Sequence, residues 1–552
     1  MDRRHLHALR ENQEVTEIET LCRKHFPFET PNPGQMEAII AAVEAFESGK
    51  HHVIIQGPTG FGKSAAATTI HRVMAELHDR WRTTIITATK QLQDQYVESD
   101  RQIFDLRGRT NYGCPYNVGP YNSGSCRTHV KKGSCKPKET CPYVKRRNQW
   151  TMIAQLRSTN FSFQIEAPEK LCMTPETKAN LIVIDECHEI DMALIEHATI
   201  KFNTGDFTQL ADIGYEWLTV RIQKFIDIFR GIEKGSAFTP NQEQIDALTA
   251  LCETIENVTE ALEESMAETS ERREIKGAMV ETLQLIRAKT ENFGQGDDEW
   301  ILNEYKPGQL VELKPVYSEQ VAYHGLIQKA EYFLHMSATI CGFDQYIESL
   351  GLDASDCAVV DVDNPIPVEQ RKVFVLPQFK VNAGFDAYPR LVKVIDKIID
   401  HHGNENGIIH CVSFKLGDTI KEYSRHADRM IVARDRFEVN DALEKHNSGA
   451  IIISPSIEKG VDLKDDMSRW QILPKVPYGY LGDPFIALNS QRHPDWYARR
   501  AILRIVQASG RSVRGVNDYA DTYILDQNFV RLYQQNKDIF PDWFLESLRW
   551  VE

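Results

Sequence analysis

Short, unbroken apolar runs alternate along this chain with longer stretches in which apolar residues recur every three or four positions. That is the pattern of buried parallel strands joined by crossover helices. His52-Val53-Ile54-Ile55-Gln56 and Leu181-Ile182-Val183-Ile184 are two such runs, and each predicts a strand covered on both faces. From Phe207 to Gln295 the pattern turns helical: Leu251, Ile255, Val258, Leu262 and Met266, then Ile275, Met279, Leu283 and Ile286 after a polar break, predict two antiparallel helices. Leu310 to Val316 returns the chain to strand. Beyond Asp363 the segments Arg371–Leu376 and Leu391–Ile399 resume the alternation and predict a second parallel sheet. A single hydrophobic core stops growing near roughly 250–300 residues, so 552 residues call for two large domains plus insertions.

Composition narrows the class. With 42% hydrophobic and 26% charged residues the chain has ordinary globular usage, which excludes disorder and low complexity. The N-terminus from Met1 to Phe26 is highly charged and no apolar run is long enough to span a bilayer. No signal peptide or membrane partner is expected, and a cytoplasmic setting follows. Eleven cysteines, an odd number, point to reduced thiols or metal ligands rather than a disulfide framework. A net charge of −15 argues at first against nucleic acid, but the acid is localised. Gln242 to Trp300 holds fifteen acidic and five basic residues, whereas Arg127 to Arg147 holds eight basic residues and one acid, Glu139.

The first apolar run leads into Gly57-Pro58-Thr59-Gly60-Phe61-Gly62-Lys63-Ser64 and an alanine-rich helical stretch. This is strand, GxxxxGK[ST], helix, a loop whose glycines let backbone N–H groups curl around phosphates. Gly57, Thr59, Gly60 and Gly62 shape the cradle for ATP, Lys63 neutralises the outer phosphates, and the Ser64 hydroxyl reaches Mg²⁺. The second run ends in Asp185-Glu186-Cys187-His188. Carboxylates at the C-terminal end of such a strand face the phosphate loop, so Asp185 is placed for Mg²⁺ and Glu186 to orient or deprotonate the attacking water. A glycine turn or a solvated Asp-Glu pair would account for either motif alone, but not for both together.

Asp-Glu-Cys-His resembles the DEAH/DECH box of superfamily 2 helicases, and further segments follow in that family's order. Gln35, in Pro33-Gly34-Gln35-Met36, is similar to the upstream glutamine motif that contacts the nucleotide. Thr87-Ala88-Thr89-Lys90-Gln91-Leu92 resembles motif Ia, which touches the DNA backbone, and Met336-Ser337-Ala338-Thr339-Ile340 resembles motif III. Ile408 to Phe414 resembles motif IV and Ser454 to Leu463 motif V, with Gly460 and Asp462 matching and Lys459 standing where relatives often carry glutamate. Gln507-Ala508-Ser509-Gly510-Arg511-Ser512-Val513-Arg514 matches QxxGRxxR, motif VI. Its arginines, one helical turn apart on one face, are candidates to stabilise γ-phosphate charge from the opposite lobe. The resemblance implies catalytic roles for Lys63, Asp185, Glu186, His188, Gln507, Arg511 and Arg514.

Cys114, Cys126, Cys135 and Cys141 lie between the two ATP motifs with gaps of 11, 8 and 5 residues. Four thiolates can hold a tetrahedral zinc or a [4Fe–4S] cluster, and ligand chemistry alone leaves both open. The GRxNYxC lead and the CPY ending resemble the iron-sulfur domain of the XPD/DinG helicases, inserted at this same point, which implies the cluster. Arg127, Lys131, Lys132, Lys136, Lys145, Arg146 and Arg147, interleaved with Tyr116, Tyr121, Tyr143 and Trp150, suit a funnel for a single strand, with a solvated basic face as the plain alternative.

The chain is thus identified as similar to XPD/DinG-like superfamily 2 iron-sulfur DNA helicases from Gln35 to Phe529. The resemblance implies an α/β fold of two RecA-like parallel-sheet lobes with an iron-sulfur insert and a helical Arch-like insert. Lobe one is expected over 1–110, 156–205 and 309–363, the iron-sulfur domain over 111–155, the Arch-like domain over 206–308 and lobe two over 364–552. It further implies a monomer that uses ATP and Mg²⁺ to move 5′ to 3′ on single-stranded and forked DNA in a prokaryotic or phage-infected cell. The other readings are an ATP-driven translocase that strips protein or RNA from DNA, and a nucleotide-gated clamp.

Overall fold

The computed structural model describes residues 16–108, 111–113, 141–166, 172–268, 272–290, 293, 298–381, 386–434, 438, 449–455, 465–513, 515 and 517–551. The first lobe begins with β1 (His52–Gln56), β2 (Thr83–Thr87), β3 (Phe104–Asp105), β4 (Leu156–Asn160) and β5 (Leu181–Asp185). Every residue of β1, β2 and β5 is buried, because helices cover both faces of the sheet.

The chain then leaves for an insertion containing β6 (Ile200–Asn203), β7 (Ala237–Phe238), β8 (Trp300–Lys306) and β9 (Leu310–Pro315). It returns with β10 (Tyr332–Ser337) and β11 (Cys357–Asp361), which complete the parallel order β11-β1-β10-β5-β2-β4-β3. Register decides what this sheet presents. Gln56 of β1 pairs with Ser337 of β10, and Met336 beside it pairs with Asp185 of β5. The phosphate loop, the motif III serine and the DECH carboxylates therefore emerge side by side from one edge.

Within the insertion the two predicted helices are present as Gln242–Glu268 and Arg273–Thr290. Leu251, Ile255, Val258, Leu262, Met266, Met279, Leu283 and Ile286 are buried between them and the neighbouring elements. The insertion is nevertheless not purely helical. Leu310–Pro315, expected to return to lobe one, pairs antiparallel with β6 and β8 and closes a four-stranded sheet in the order β6-β9-β8-β7. The physical reason lies in its alternation: Val311, Leu313 and Pro315 are buried while the residues between them are only partly so. One buried face is the mark of an antiparallel sheet packed on one side, unlike the fully buried strands of the lobes.

The second lobe is built from β12 (Val373–Phe379), β13 (Gly407–His410), β14 (Met430–Val432), β15 (Ile451–Ser454), β16 (Trp470–Leu473), β17 (Asp521–Asp526) and β18 (Leu548–Trp550). All are parallel, in the order β14-β15-β13-β16-β17-β12-β18. Gly407 is required where β13 meets β16, since a Cβ there would stand 1.9 Å from the buried Trp470 indole. Lobe two also grips the insertion through the helix Pro484–Arg492: Phe485 donates its N–H to Asn303 Oδ1 at 3.1 Å, and Arg492 pairs with Glu299 at 2.7 Å. Among the described residues no helix is long and apolar enough to cross a membrane.

Candidate ATP site between the lobes

The phosphate loop follows β1 without a break. Gly60 and Gly62 take left-handed φ values of +84° and +85°, which only glycine adopts without cost, and Gly62 caps the helix Lys63–Leu77. A side chain at Gly62 would also collide with Gln35, whose Nε2 donates to the Gly62 carbonyl at 3.0 Å. Asn32 adds a second brace, donating Nδ2 to the Gly60 carbonyl at 2.9 Å. Gln35 is 1% exposed, so its amide in this arrangement holds the loop in shape.

Lys63 Nζ lies 2.5 Å from Glu186 Oε1 and 3.5 Å from Asp185 Oδ1. Burial works against the Lys63 charge, but the two carboxylates outweigh it and hold the ammonium above the usual lysine range. Burial raises the Asp185 carboxyl, with Lys63 opposing. For Glu186 burial acts upward too, but Lys63 foremost, with Arg511 adding, overcomes it and keeps the group ionised. Glu186 also has a left-handed backbone, φ +55°, a conformation that costs a β-carbon residue roughly 1 kcal/mol and is retained where it aims a functional group.

Across the cleft, the helix Pro494–Ser509 brings Gln507 to its last turn and ends at Gly510. The helix stops two residues before Arg511, so this arginine is presented from the turn beyond and not from a helical face as expected from the QxxGRxxR spacing. Arg511, Gln507, Glu186, His188 and Thr59 line one cavity between the lobes. Arg514, Gly460 and Asp462 lie outside the described residues, as do Cys114, Cys126 and Cys135.

A directional chain of hydrogen bonds joins the two lobes. Gln507 Nε2 lies 2.6 Å from His188 Nε2, His188 Nδ1 lies 2.8 Å from Ser337 Oγ, and Ser337 Oγ lies 3.3 Å from Glu186 Oε2. Burial pushes the His188 pKa down, with Glu186 and Glu189 opposing, so the ring is neutral. With the Gln507 amide donating to Nε2, the one proton of the ring sits on Nδ1 and is donated to Ser337, whose single hydroxyl proton is shared between the Thr339 carbonyl at 2.9 Å and Glu186 at 3.3 Å. Lobe two thus reaches the carboxylate of lobe one through motif III.

Comparison with protein families matches residues 385–547 to a helicase C-terminal domain and residues 29–210 to the res subunit of type III restriction enzymes. No curated protein matches the sequence. Among solved structures the chain is similar to that of S. tokodaii Xpd4, at 13% identity over 94% of this chain and 100% of that one, with a TM-score of 0.57. An XPD helicase structure gives 14% identity, 95% and 100% coverage and a TM-score of 0.63. The fold is that of the XPD helicase structures, and the second lobe carries the match to a helicase C-terminal domain.

The helicase is an ATP-driven enzyme, and its site fits the magnesium that accompanies ATP. Asp185 and Ser64 supply hard oxygen donors on adjacent elements. The phenol of Tyr96, 1% exposed on the helix Lys90–Ser99, sits beside Ser64 and Asp185, and burial first, then Asp185 and Glu186, raises its pKa. A buried hydroxyl beside both oxygen donors adds a polar wall to a site suited to a hydrated cation. Sequence reasoning missed Tyr96, which reads as an ordinary apolar position of the motif Ia helix.

The cysteine region is described only in part. Cys141 is buried and unpaired at the start of the helix Pro142–Asn148, beside Leu106, Tyr143 and Trp150, where a ligand would be anchored firmly to lobe one. Among the described residues no group of three or more His, Cys, Asp or Glu gathers. The aromatic part of the expected funnel needs correction. Trp150 is fully buried, with Nε1 donating to the Ser158 carbonyl at 3.0 Å, and Tyr143 is 5% exposed. Both are core residues, Arg146 is paired with Asp105, and Lys145 is exposed. Arg127, Lys131, Lys132, Lys136, Tyr116 and Tyr121 lie outside the described residues.

Replacing Gln507 by leucine removes the interlobe donor to His188. Loss of a buried hydrogen bond worth about 1.5 kcal/mol in the transition state is expected to lower kcat about tenfold, with KM for ATP little changed. Steady-state ATPase measurements check this, and an unchanged kcat would disconnect motif VI from the DECH box.

Proposed function

We propose that this helicase translocates 5′ to 3′ along single-stranded DNA as a monomer and uses interlobe ATP hydrolysis to open forked duplexes. One observation carries the reading. Thr89, Gln91 and Leu92 of the motif Ia helix line the same cavity as Glu186 and Arg511, so a strand held on that helix adjoins the hydrolytic groups. Thr89 caps this helix, accepting from the Leu92 N–H at 3.3 Å, a helix start of the kind that binds phosphate. The likeness to XPD structures supports DNA as the substrate, and the family's polarity is carried over with it.

Residues 111–155 form the iron-sulfur domain in this proposal, with Cys114, Cys126, Cys135 and Cys141 holding a [4Fe–4S] cluster. When bound, the group would supply a covalent staple to a segment too small to bury its own core. Residues 206–308 correspond to the Arch-like domain. Arg514 joins Arg511 opposite the phosphates, and Gly460 and Asp462 contribute from motif V.

Strand displacement on forks with a single 5′ or 3′ tail tests the reading. ATP-dependent opening that requires the 5′ tail is expected. A requirement for the 3′ tail would reverse the polarity, and release of bound protein or RNA without duplex opening would favour the translocase reading. Anaerobically purified protein is expected to be brown with visible charge-transfer absorbance, and Cys114→Ser to lose both colour and unwinding while retaining some ATPase. Colourless protein containing zinc would replace the cluster assignment.

A further inference from the structure

Arg499 lies eight residues before Gln507 on the helix Pro494–Ser509, about 12 Å along the axis. It is 2% exposed, although an arginine on an amphipathic helix is ordinarily a surface residue. Its Nε donates to the Cys341 carbonyl at 2.6 Å and its Nη2 to the Ile340 carbonyl at 2.9 Å. Both partners are backbone atoms of the other lobe, at the end of motif III and the residue that follows it. No carboxylate lies within ion-pair distance of it among the described residues, so a buried charge rests on two carbonyl dipoles and on the Tyr346 ring, 5.7 Å away. Burying a guanidinium without a counter-ion is costly, and an apolar residue would fill this interface at lower cost.

The loop it grips is itself shaped for the purpose. Cys341 has φ +54° and Gly342 φ +78°, a left-handed turn that exposes consecutive carbonyls to Arg499. From the opposite side Gln56, the last residue of β1, accepts the Ile340 N–H at 2.6 Å and the Cys341 N–H at 3.4 Å. The residue after Gln56 is Gly57 of the phosphate loop. The same two residues, Ile340 and Cys341, are therefore held through their N–H groups by the root of the ATP-binding loop in lobe one and through their carbonyls by the motif VI helix in lobe two. Arg500, turned about 100° around that helix, faces Asp191 in the helix after the DECH box at 3.6 Å.

We propose that Arg499 is a positioning residue of the ATPase, fixing the motif VI helix against the post-motif III loop so that Gln507 and Arg511 meet the DECH box. Its fork of donors spans two carbonyls, which a lysine ammonium cannot reproduce. The inference rests on the two-lobe ATPase alone and not on DNA as the substrate. ATP turnover of full-length wild type, Arg499→Gln and Arg499→Lys is to be measured with and without oligothymidylate. Closure of dye-labelled lobes on a non-hydrolysable ATP analogue is followed by energy transfer.

Both variants are expected to lose about tenfold or more in kcat in either condition, to keep KM for ATP within about threefold, to melt near the wild type and to close incompletely. A folded variant with wild-type kcat and closure would overturn the proposal. So would parallel loss of kcat, nucleotide binding and melting temperature, which marks a merely structural contact. Should the Arg499 variants not fold, Gln56→Met releases Ile340 and Cys341 from the other side and is expected to give the same kcat loss; normal turnover there would equally overturn it. Absence of oligothymidylate stimulation in the wild type would count against the DNA reading while leaving basal turnover to decide Arg499.

Discussion

Replacing Lys63 by alanine is expected to abolish ATP turnover, by about 10³-fold or more, while single-strand binding stays within a few-fold of wild type. Lys63 lies within ion-pair reach of both Asp185 and Glu186, at 3.5 and 2.5 Å. The outer oxygens of a triphosphate compete with Glu186 for the same ammonium, so nucleotide binding frees the carboxylate to orient water. Without Lys63 the phosphates lose their main cation, and the buried Asp185 and part-buried Glu186 lose the charge that lets both ionise. One of them is then expected to take up a proton. Coupled-enzyme ATPase and fluorescence anisotropy with a labelled oligonucleotide measure the two quantities separately. Loss of strand binding along with turnover would contradict the division between the ATP site and the motif Ia surface.

Arg511→Ala is expected to lower kcat by about 10³-fold with much weaker effect on KM, the signature of a group that meets charge only in the transition state. Arg511 lines the cleft opposite Glu186 and contributes to holding that carboxyl ionised. Arg511→Lys keeps the charge but not the planar fork, and is expected to recover only a minor part of the rate. Single-turnover hydrolysis distinguishes this from slow product release. A kcat within twofold of wild type in Arg511→Ala would remove the arginine from the chemistry.

How much of this was legible depended on how local the signal is. The strand, phosphate loop and helix around Lys63, and the strand ending at Asp185, are written as continuous apolar runs with fixed chemistry at one end, and both lie where expected. The long insertion helices were readable from the spacing of Leu251, Ile255 and Val258 alone. The insertion's sheet was not, because β7 is two residues long and both long helices separate β6 and β7 from their partners β9 and β8. The alternation in Leu310 to Pro315 carried the signal that β9 belongs to a one-sided sheet.

Side-chain fate was harder still. Tyr143 and Trp150 read as stacking aromatics beside basic residues, yet their neighbours in space, Leu106 and Cys172, make them core. Nothing in the local sequence marks Arg499, and only the lobe opposite it reveals two carbonyls waiting. The join between Gln507 and His188 spans 319 positions and three motifs, a contact that no local pattern encodes.

Convergence of Lys63 and Glu186 from one lobe and Arg511 from the other on a single γ-phosphate is tested most directly by a structure with ADP–aluminium fluoride and magnesium. The Arg511 guanidinium is expected within about 3 Å of a fluoride, with Glu186 on the in-line water and Lys63 released to the phosphates. An Arg511 side chain directed away from the fluoride, with Lys63 still paired to Glu186, would contradict hydrolysis by lobe closure.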